Sequence, residues 1–261
     1  MSDDQKQNNS QLVPLGEKSA HEDVRERMLK LLPIAQAIRF YHRHEVVGME
    51  NIPTSGRCLL VCTHSLATYD MSLLFAAIYE KTHRVTRPLI DRLFFKVPMV
   101  GPLMEYFGSV QGNPDNARTL LGEDNLVAVA PGGMREALRP STQRYQIRWD
   151  RRRGFARLAI ETGAPIILAA CPRADDIFEV IPNPITKWAY QAFKVPVFLA
   201  RGIGLSPVPR PVKLVHYLSE PILPPTLTGD EEAQKKQLAR FHTKLCKRME
   251  QLIGEAIAHR S

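Results

Sequence analysis

Short apolar runs that alternate with segments of helical spacing constrain the fold of this chain more than any other sequence feature. The runs at 57–63, 126–130 and 165–171 are apolar almost throughout, which is typical of strands covered on both faces of a sheet. Helical patterns lie between such runs, for example at 72–79 and 153–161. Strands that alternate with helices predict an α/β fold, in which a single domain has a largely parallel or mixed sheet flanked by helices.

The N-terminal part of the chain differs from this α/β pattern. Residues 1–21 are polar and are predicted to form a disordered tail. Residues 22–44 have the spacing of a basic amphipathic helix, and residues 45–261 carry the α/β pattern. The apolar stripe of this helix suits either a membrane interface or the domain's own core, and the sequence leaves both positions open. The stripe consists of Val24, Met28, Leu31, Ala35 and Ile38.

The charge of the chain narrows the choice of partners. The 261 residues carry a formal net charge of +8, which favours anionic partners. No recognised nucleic-acid motif occurs, so we expect anionic membrane lipids and no nucleic acid. No apolar run reaches the ~18 residues of a membrane-spanning helix, and no secretory pattern begins the chain. We therefore expect a peripheral (monotopic) protein on the cytoplasmic face of a membrane, with apolar residues 188–198 as a second contact with membrane or substrate.

The four cysteines do not have the spacing of a zinc site. Cys58 and Cys62 lie in one buried run and are separated by an even number of positions, so both should face the same side of a strand. This placement predicts reduced core cysteines, and no metal site is expected.

A histidine and an aspartate follow the first apolar run, in the phrase THSLATYD at 63–70. His64 comes directly after the predicted strand, and Asp70 lies near the start of the next helix, with five residues between them. The carboxyl end of a strand is where α/β proteins place reactive groups. An imidazole accepts a proton near neutral pH, and a carboxylate on its other nitrogen fixes the tautomer. His64 is therefore a candidate general base with Asp70 as its partner, although a structural histidine beside a solvated aspartate fits the same spacing.

A second polar phrase, APGGMREAL at 130–138, follows another buried run. Gly132 and Gly133 allow the backbone to approach a ligand closely. Arg135 is a candidate anion-binding residue, and Glu136 is a candidate to orient that group or to accept a hydrogen bond. These four residues are the predicted substrate-binding residues, and a solvated turn between strand and helix is the alternative.

Together, these phrases resemble the glycerolipid acyltransferase superfamily, which contains the lysophosphatidic acid acyltransferases. The resemblance extends from about residue 45 to residue 222. His64 and Asp70 match the family's first block, with one residue more between them than in most members. Gly133 and Arg135 match the third block. The form PGGMREAL is most similar to the branch with the phytyl ester synthases and the diacylglycerol-acyltransferase-like proteins.

The chain departs from the family pattern at positions that bear on the acceptor. In FGSVQGNPDNAR, Gly108 matches the second block, but Asn113 occupies the position where an arginine is expected, and Arg118 lies further on. Gly132 replaces the usual glutamate of the third block, and Leu168 replaces the second proline of the fourth. The phosphate of a lysophosphatidic acid needs fixed cations. A neutral alcohol is therefore at least as well suited to this chain as a phosphorylated acceptor.

The resemblance implies an O-acyltransferase of lipid metabolism, which moves a fatty acyl group from an acyl thioester to a lipid hydroxyl. The implied co-substrate is acyl-CoA or acyl carrier protein, no cofactor is bound, and His64 is the general base supported by Asp70. Phospholipid biosynthesis and neutral-lipid synthesis both remain open. Backbone N–H groups of Gly132 and Gly133 are candidate oxyanion donors. A lipid ester or thioester hydrolase and a non-catalytic membrane lipid-binding protein are the alternatives.

Overall fold

The structure, a computed structural model, describes residues 18–95, 99–181 and 199–259. Within these ranges the strands are β1 (Glu45–Val47), β2 (Cys58–Cys62), β3 (Thr86–Ile90), β4 (Val110–Gln111), β5 (Leu126–Val129), β6 (Ile166–Ala170), β7 (Glu179–Ile181), β8 (Leu199–Arg201) and β9 (Val215–Leu218). The helices are α1 (Lys18–Tyr41), α2 (Tyr69–Thr82), α3 (Arg92–Phe95), α4 (Val100–Tyr106), α5 (Pro114–Gly122), α6 (Gly133–Ala137), α7 (Gly154–Thr162) and α8 (Glu231–Ala258).

A seven-stranded sheet in the order β1-β9-β6-β2-β5-β3-β4 forms the centre of the described structure. Strand β2 lies in the middle and pairs in parallel with β5 on one side and with β6 on the other. The pairs β3–β5, β3–β4 and β1–β9 are also parallel, whereas β6 and β9 are antiparallel. Strands β7 and β8 form a separate antiparallel pair. The predicted α/β fold with a largely parallel, mixed sheet is therefore confirmed.

Helices cover both faces of the main sheet, and the residues of β2 alternate between the two sides. Leu59 and Val61 pack with residues of α5, α7 and α8. Cys58, Leu60 and Cys62 pack on the other side, with α2. Every residue of β2 is buried, which is why its sequence is apolar without alternation. Cys58 and Cys62 face one side, as their spacing predicts, and both are free thiols.

Helix α1 is shifted toward the N-terminus relative to the sequence prediction. It spans Lys18–Tyr41, whereas the sequence predicts 22–44. Residues 18–21 of the predicted tail are therefore helical, and residues 1–17 lie outside the described residues. The apolar segment 188–198, a predicted contact with substrate or membrane, also lies outside them. Within the described ranges, no helix is both long enough and apolar enough to cross a bilayer.

One face of α1 packs on the domain, and the opposite face is exposed. Arg25 donates a hydrogen bond to the hydroxyl of Tyr79 in α2 at 3.1 Å, and the ring of His42 lies 2.8 Å from the Tyr69 hydroxyl. The predicted apolar stripe is buried or partly buried: Val24 is buried, and Ile38 packs against a core cluster. A second apolar set is exposed on α1, and it consists of Leu29, Ile34, Phe40 and Tyr41.

Candidate active site

Three loops meet at one edge of the main sheet, because β5, β2 and β6 are parallel neighbours whose carboxyl ends lie side by side. Strand β2 ends at Cys62 and leads into the THSLATYD loop. Strand β5 ends at Val129 and leads into the glycine turn at 131–133. Strand β6 ends at Ala170 and leads into a 3-10 turn, Pro172–Asp176. The first two loops are those that the sequence predicts, and the third is an addition made by the fold.

His64 is partly exposed, and the backbone holds its ring. Nδ1 lies 2.9 Å from the carbonyl oxygen of Ser65, so Nδ1 carries the proton and donates it. Nε2 has no hydrogen-bond partner among the described residues, so its lone pair is available to a substrate. Burial lowers the pKa of His64, and the charge of Arg139 lowers it further, while the Ser65 carbonyl acts in the opposite direction. At neutral pH the imidazole is therefore uncharged and able to accept a proton.

Asp70 bonds to Ser65 and not to His64, which corrects the predicted direct pair. Its Oδ1 accepts a hydrogen bond from the Ser65 hydroxyl at 3.0 Å, and its Oδ2 lies 3.8 Å from Nε2 of His216. Ser65 is buried, so its hydroxyl needs a partner, and the Asp70 carboxylate provides it. Ser65 thus connects the two predicted residues, because its carbonyl holds the His64 ring and its hydroxyl bonds to Asp70.

The pKa of the Asp70 carboxylate is raised toward neutral pH. The side chain is almost fully buried, and burial raises its pKa to about 6, while the hydrogen bond from Ser65 opposes that rise. Asp70 lies in the first turn of α2, where the backbone N–H groups of a helix favour a negative charge. The carboxylate is therefore largely ionised at neutral pH, and it is connected to His64 through Ser65.

Glu136 braces the site from inside the protein. Its side chain is 0% exposed. One carboxylate oxygen accepts the backbone N–H of His64 at 2.7 Å, and the other accepts the N–H of Arg148 at 2.9 Å. Burial raises the pKa of Glu136, while the charge of Arg139 and these N–H donors oppose the rise. Glu136 therefore accepts hydrogen bonds, which is one of the two roles that the sequence suggests, and both bonds are to backbone N–H groups of the protein. A contact between Glu136 and substrate stays a prediction.

Arg139 and Asp175 form a buried ion pair that connects the three loops. The guanidinium donates to the Asp175 carboxylate through Nε at 3.0 Å and through Nη2 at 2.5 Å. Its Nη1 donates to the backbone oxygens of His64 and Glu136, at 2.9 and 3.0 Å. Asp175 also accepts the N–H of Tyr145 at 2.8 Å. Because its donors are shared among these acceptors, Arg139 positions the His64 loop and is not available to a substrate anion.

Close contacts with neighbouring residues surround the two predicted glycines, Gly132 and Gly133. A Cβ on Gly132 would lie 2.0 Å from a carboxylate oxygen of Glu136, so only glycine leaves room for that carboxylate. Gly133 has a φ of +50°, and its N–H donates to the Ala130 carbonyl at 3.0 Å. The N–H of Gly133 is thus bonded within the turn in this structure. The oxyanion roles of Gly132 and Gly133 stay predictions. Arg152 fixes the turn by donating to two of its carbonyl oxygens, at 2.7 and 2.8 Å.

Arg135 is exposed at the edge of the site. Its side chain is 62% exposed, and the Asp150 carboxylate lies 4.0 Å from its guanidinium. At this distance in solvent the ion pair is weak, so the guanidinium is accessible to an anionic partner. Anion binding by Arg135 stays a prediction.

Sequence reasoning missed several residues of the site, and some of them carry a signal. Asp175 follows a buried strand just as His64 does, so the rule about strand ends identifies it. Arg139 directly continues the glycine phrase. His216 is a polar residue on the buried face of β9, a strand whose residues alternate between buried and partly exposed positions. Ser65 carries no signal, because a small polar residue in a loop is common.

The fold also groups three potential metal ligands that the sequence does not predict. Ligand atoms of Asp70, Cys171 and His216 lie within 4.8 Å of one another, and all three residues are buried. They come from α2, from the end of β6 and from β9, so they meet only in the folded chain. Whether His216 acts as a ligand depends on which of its ring nitrogens carries the proton.

The fold and the site define an α/β domain that presents an uncharged imidazole, that of His64, at the carboxyl edge of its sheet. An imidazole in this state is able to accept a proton from a hydroxyl or from water. The chain belongs to the glycerolipid acyltransferase superfamily, and the model of the Acyltransferase family matches residues 43–171.

Named relatives extend the family match over more of the chain. A human protein described as a DGAT1/2-independent enzyme synthesizing storage lipids is 34% identical over 201 residues, which are 76% of this chain and 60% of that protein. An uncharacterized protein of Mycobacterium tuberculosis is 29% identical over 179 residues, which are 65% of this chain and 49% of its own length. This chain thus spans about half to three fifths of these relatives.

A solved structure is similar in outline. It is the crystal structure of the 1-acyl-sn-glycerophosphate acyltransferase PlsC from Thermotoga maritima, with a TM-score of 0.49 and 20% sequence identity. The match covers 86% of this chain and 81% of that one.

Proposed function

We propose that this protein is a lipid O-acyltransferase in which His64 is the general base and the acceptor is a neutral lipid alcohol. One observation carries the proposal: the backbone carbonyl of Ser65 holds Nδ1 of His64 at 2.9 Å, and the described residues leave Nε2 without a partner. A neutral imidazole with a fixed tautomer, at the end of a buried strand, suits direct abstraction of a hydroxyl proton.

The proposed reaction has two steps and needs no covalent enzyme intermediate. Nε2 of His64 takes the proton of the acceptor hydroxyl while that oxygen attacks the thioester carbonyl carbon. The resulting tetrahedral intermediate collapses, the carbon–sulfur bond breaks, and the imidazolium returns the proton to the leaving thiolate. The negative charge of Asp70 stabilises the imidazolium, and the Ser65 carbonyl keeps its ring in place.

The contacts of Asn113 and Arg118, which lie in the second block of the family pattern, favour a neutral acceptor. Asn113 accepts the N–H of Asn116 at 2.8 Å and thereby caps helix α5. Arg118 pairs with Asp115 and Glu161 on the surface, at 3.0 and 2.9 Å. Neither residue offers a free, fixed cation to a phosphate. The name of the human relative, which refers to storage lipids, agrees with a neutral acceptor.

The proposal places the protein against the cytoplasmic face of an anionic membrane, since its substrates are lipids. Arg27 of α1 lies over the ring of Tyr106 in α4 at 4.8 Å, and the Tyr41 hydroxyl donates to the Pro209 carbonyl at 2.7 Å. Helix α1 therefore adjoins both α4 and the loop before β9, and all three elements expose large apolar side chains, which is typical of an interaction surface. These side chains are Leu29, Ile34, Phe40, Tyr41, Leu103, Tyr106, Ile203, Leu205 and Val208.

Acyl transfer by the purified protein tests the proposal. Palmitoyl-CoA, or palmitoyl acyl carrier protein in parallel reactions, is supplied with dioleoylglycerol, hexadecanol or lysophosphatidic acid in mixed vesicles. We expect ester formation with a neutral alcohol, and we expect His64→Ala to lower the rate by about 10²–10⁴. The matched control is His259→Ala, since His259 is exposed at the end of α8.

Three other results of the acyl-transfer assay would contradict parts of the proposal. Ester formed only from lysophosphatidic acid overturns the neutral acceptor. Free fatty acid without ester makes the protein a hydrolase. Full transfer activity in folded His64→Ala removes His64 as the base.

A further inference from the structure

A run of polar side chains leads from helix α1 to Asp70. Arg39 lies in the last turn of α1, and its Nε donates a hydrogen bond to Nδ1 of His44 at 3.1 Å. Nε2 of His44 lies 2.9 Å from Nδ1 of His216, and Nε2 of His216 lies 3.8 Å from Oδ2 of Asp70. His44 and His216 are 8% and 2% exposed, so protein atoms and not solvent determine which nitrogens carry protons.

The direction of each contact follows from the arginine, because a guanidinium only donates. Nδ1 of His44 must accept, so the proton of this neutral ring is on Nε2 and is donated to Nδ1 of His216. Nδ1 of His216 therefore accepts as well, and the proton of His216 is on Nε2, facing Asp70. Burial lowers the pKa of His44 to about 4 and the pKa of His216 well below its usual value, so both rings are neutral at neutral pH.

We propose that Arg39, His44 and His216 form a hydrogen-bonded relay that presents an N–H dipole to Asp70 and positions the Ser65–His64 segment through it. A buried carboxylate needs polar surroundings to keep its charge. Asp70 accepts a hydrogen bond from Ser65 at 3.0 Å, and the N–H of His216, at 3.8 Å, is too far for a hydrogen bond but adds a favourable dipole. The three residues are positioning residues, because none of them contacts a reacting atom. The inference rests on the proposed role of His64 as base.

The relay also makes the site depend on helix α1. Arg39 belongs to α1, and the backbone N–H of His44 donates to the Arg39 carbonyl at 2.8 Å. Arg39 is itself held by an ion pair with Glu80 of α2. The position of α1 on the domain therefore determines whether His44 receives its hydrogen bond, and through it the orientation of His216.

The hydrogen bonds of His216 favour the relay over a metal ion at Asp70, Cys171 and His216. A metal on Nε2 of His216 requires that nitrogen to be unprotonated, so Nδ1 would carry the proton and would donate to Nε2 of His44. The proton of His44 would then be on Nδ1, where it would face the N–H of Arg39 across 3.1 Å. Two donors cannot satisfy each other at this distance, so a bound metal would have to break the contact with Arg39.

Nuclear magnetic resonance of ¹⁵N-histidine-labelled full-length protein tests the proton positions directly. We expect both His44 and His216 to be neutral Nε2–H tautomers, with assignments taken from single His→Gln variants. An Nδ1–H tautomer or an imidazolium at either residue overturns the relay. Stoichiometric zinc in the purified protein, with loss of the Nε2–H signal of His216, overturns it in favour of the metal site.

Two substitutions of His216 test its role in transfer from palmitoyl-CoA to dioleoylglycerol. His216→Phe keeps a planar ring without a donor, and His216→Gln keeps an N–H donor without the ring. We expect His216→Phe to lower kcat about ten- to a hundredfold with little change in KM, and His216→Gln to restore most of it. A role in packing alone predicts the reverse order, with Phe active and Gln impaired, and that result would overturn the relay.

Arg39 gives an independent test at the less buried end of the relay. Arg39→Leu should mix the tautomers of His44 and lower kcat, whereas Arg39→Lys, which still only donates, should retain both. Gln36→Leu is the matched control, because Gln36 also donates to Glu80 from α1, at 2.9 Å, but has no contact with His44. Equal effects of Arg39→Leu and Gln36→Leu overturn the relay.

If no acceptor yields ester, the proposed function fails, while the tautomers of His44 and His216 still decide the relay.

Discussion

Asp70 carries its charge in surroundings that disfavour it, since burial raises its pKa to about 6 from a usual value of 3.8. A folded-state pKa above the unfolded one means that the folded protein binds this proton more tightly. The contribution of Asp70 to stability is therefore greatest below about pH 4, falls as the pH rises through about 6, and is a cost at neutral pH. The ionised Asp70 carboxylate therefore lowers the free energy of unfolding at neutral pH.

We expect Asp70→Asn to increase the free energy of unfolding at neutral pH while it lowers transfer activity. The amide keeps an acceptor for the Ser65 hydroxyl and removes the buried charge, which should stabilise the protein by roughly 1–3 kcal/mol. Urea denaturation at neutral and acidic pH measures this, and the difference should disappear toward about pH 4. Asp150→Asn, at a side chain 66% exposed, should change little. A variant less stable than wild type at neutral pH would contradict the assignment.

Gly132 provides a second prediction at the scale of single residues. We expect Gly132→Ala to reduce activity at least about tenfold and to cost about 1–3 kcal/mol of stability, because its Cβ displaces the Glu136 carboxylate that holds the His64 N–H. Kinetics and urea denaturation measure the two effects. Gly254→Ala is the control, since a Cβ at this position of α8 meets no atom within 4 Å outside the local helix backbone, and the substitution should add about 0.5–1 kcal/mol of stability. Normal activity in Gly132→Ala would show that Glu136 does not position His64.

At the scale of elements, helix ends show how local chemistry selects a boundary. Gly163 ends α7 with a φ of +67°, a left-handed conformation that glycine adopts without a steric penalty. Helix α8 begins one residue after Asp230, whose side chain accepts the N–H of Ala233 at 2.8 Å. The pair Thr228 and Glu231 predicts a start two residues earlier. Asp230 and not Thr228 is the N-cap, and aspartate is at least as favourable at this position as threonine.

Helix α5 offers a prediction that separates capping from phosphate binding. We expect Asn113→Ala to lower the free energy of unfolding by about 1 kcal/mol, because the N–H of Asn116 loses its acceptor. Asn113→Asp keeps an acceptor at the same atom and should keep the stability. Urea denaturation of the three proteins measures both. Equal losses in the two variants would mean that the cap contributes nothing.

At the scale of the whole molecule, the outer face of α1 and its neighbours form an apolar surface beside a domain of positive net charge. We expect the protein to sediment with vesicles that contain phosphatidylserine, and to do so less in high salt, since salt screens the attraction of cations to an anionic leaflet. The double variant Leu29→Ser/Phe40→Ser should sediment less at every salt concentration, because these side chains are 48% and 87% exposed on α1.

The control for vesicle binding is Leu223→Ser. Leu223 is 73% exposed, but it follows Ile222, which pairs with Ile166 at the opposite end of β6 from the site. Unchanged sedimentation of the double variant, or equal loss in the control, would remove α1 as the contact. Deletion of residues 1–44 is a poor substitute, because it also removes the packing of α1 on α2 and the His44 contact with His216.

The sequence by itself determines the buried central strands of this protein, the helices that follow two of them, and the position of His64 at a strand end. Runs such as 57–63 are apolar because β2 is covered on both faces. The apolar residues that satisfy this requirement are consecutive in the chain. The position of His64 at the end of β2 follows from the same run. Local periodicity is enough for these features, because each depends on residues close together in the chain.

Only the tertiary structure decides which side chains meet at the site. His44 and His216 are 172 positions apart and become neighbours because β1 and β9 pair in parallel. Glu136 bonds to the His64 backbone because β5 lies beside β2. For the same reason, Ser65 connects His64 and Asp70 in place of the predicted direct contact. A buried polar atom bonds to the partner that the packed fold brings within reach. The spacing of residues in the sequence does not give the distance between their side chains.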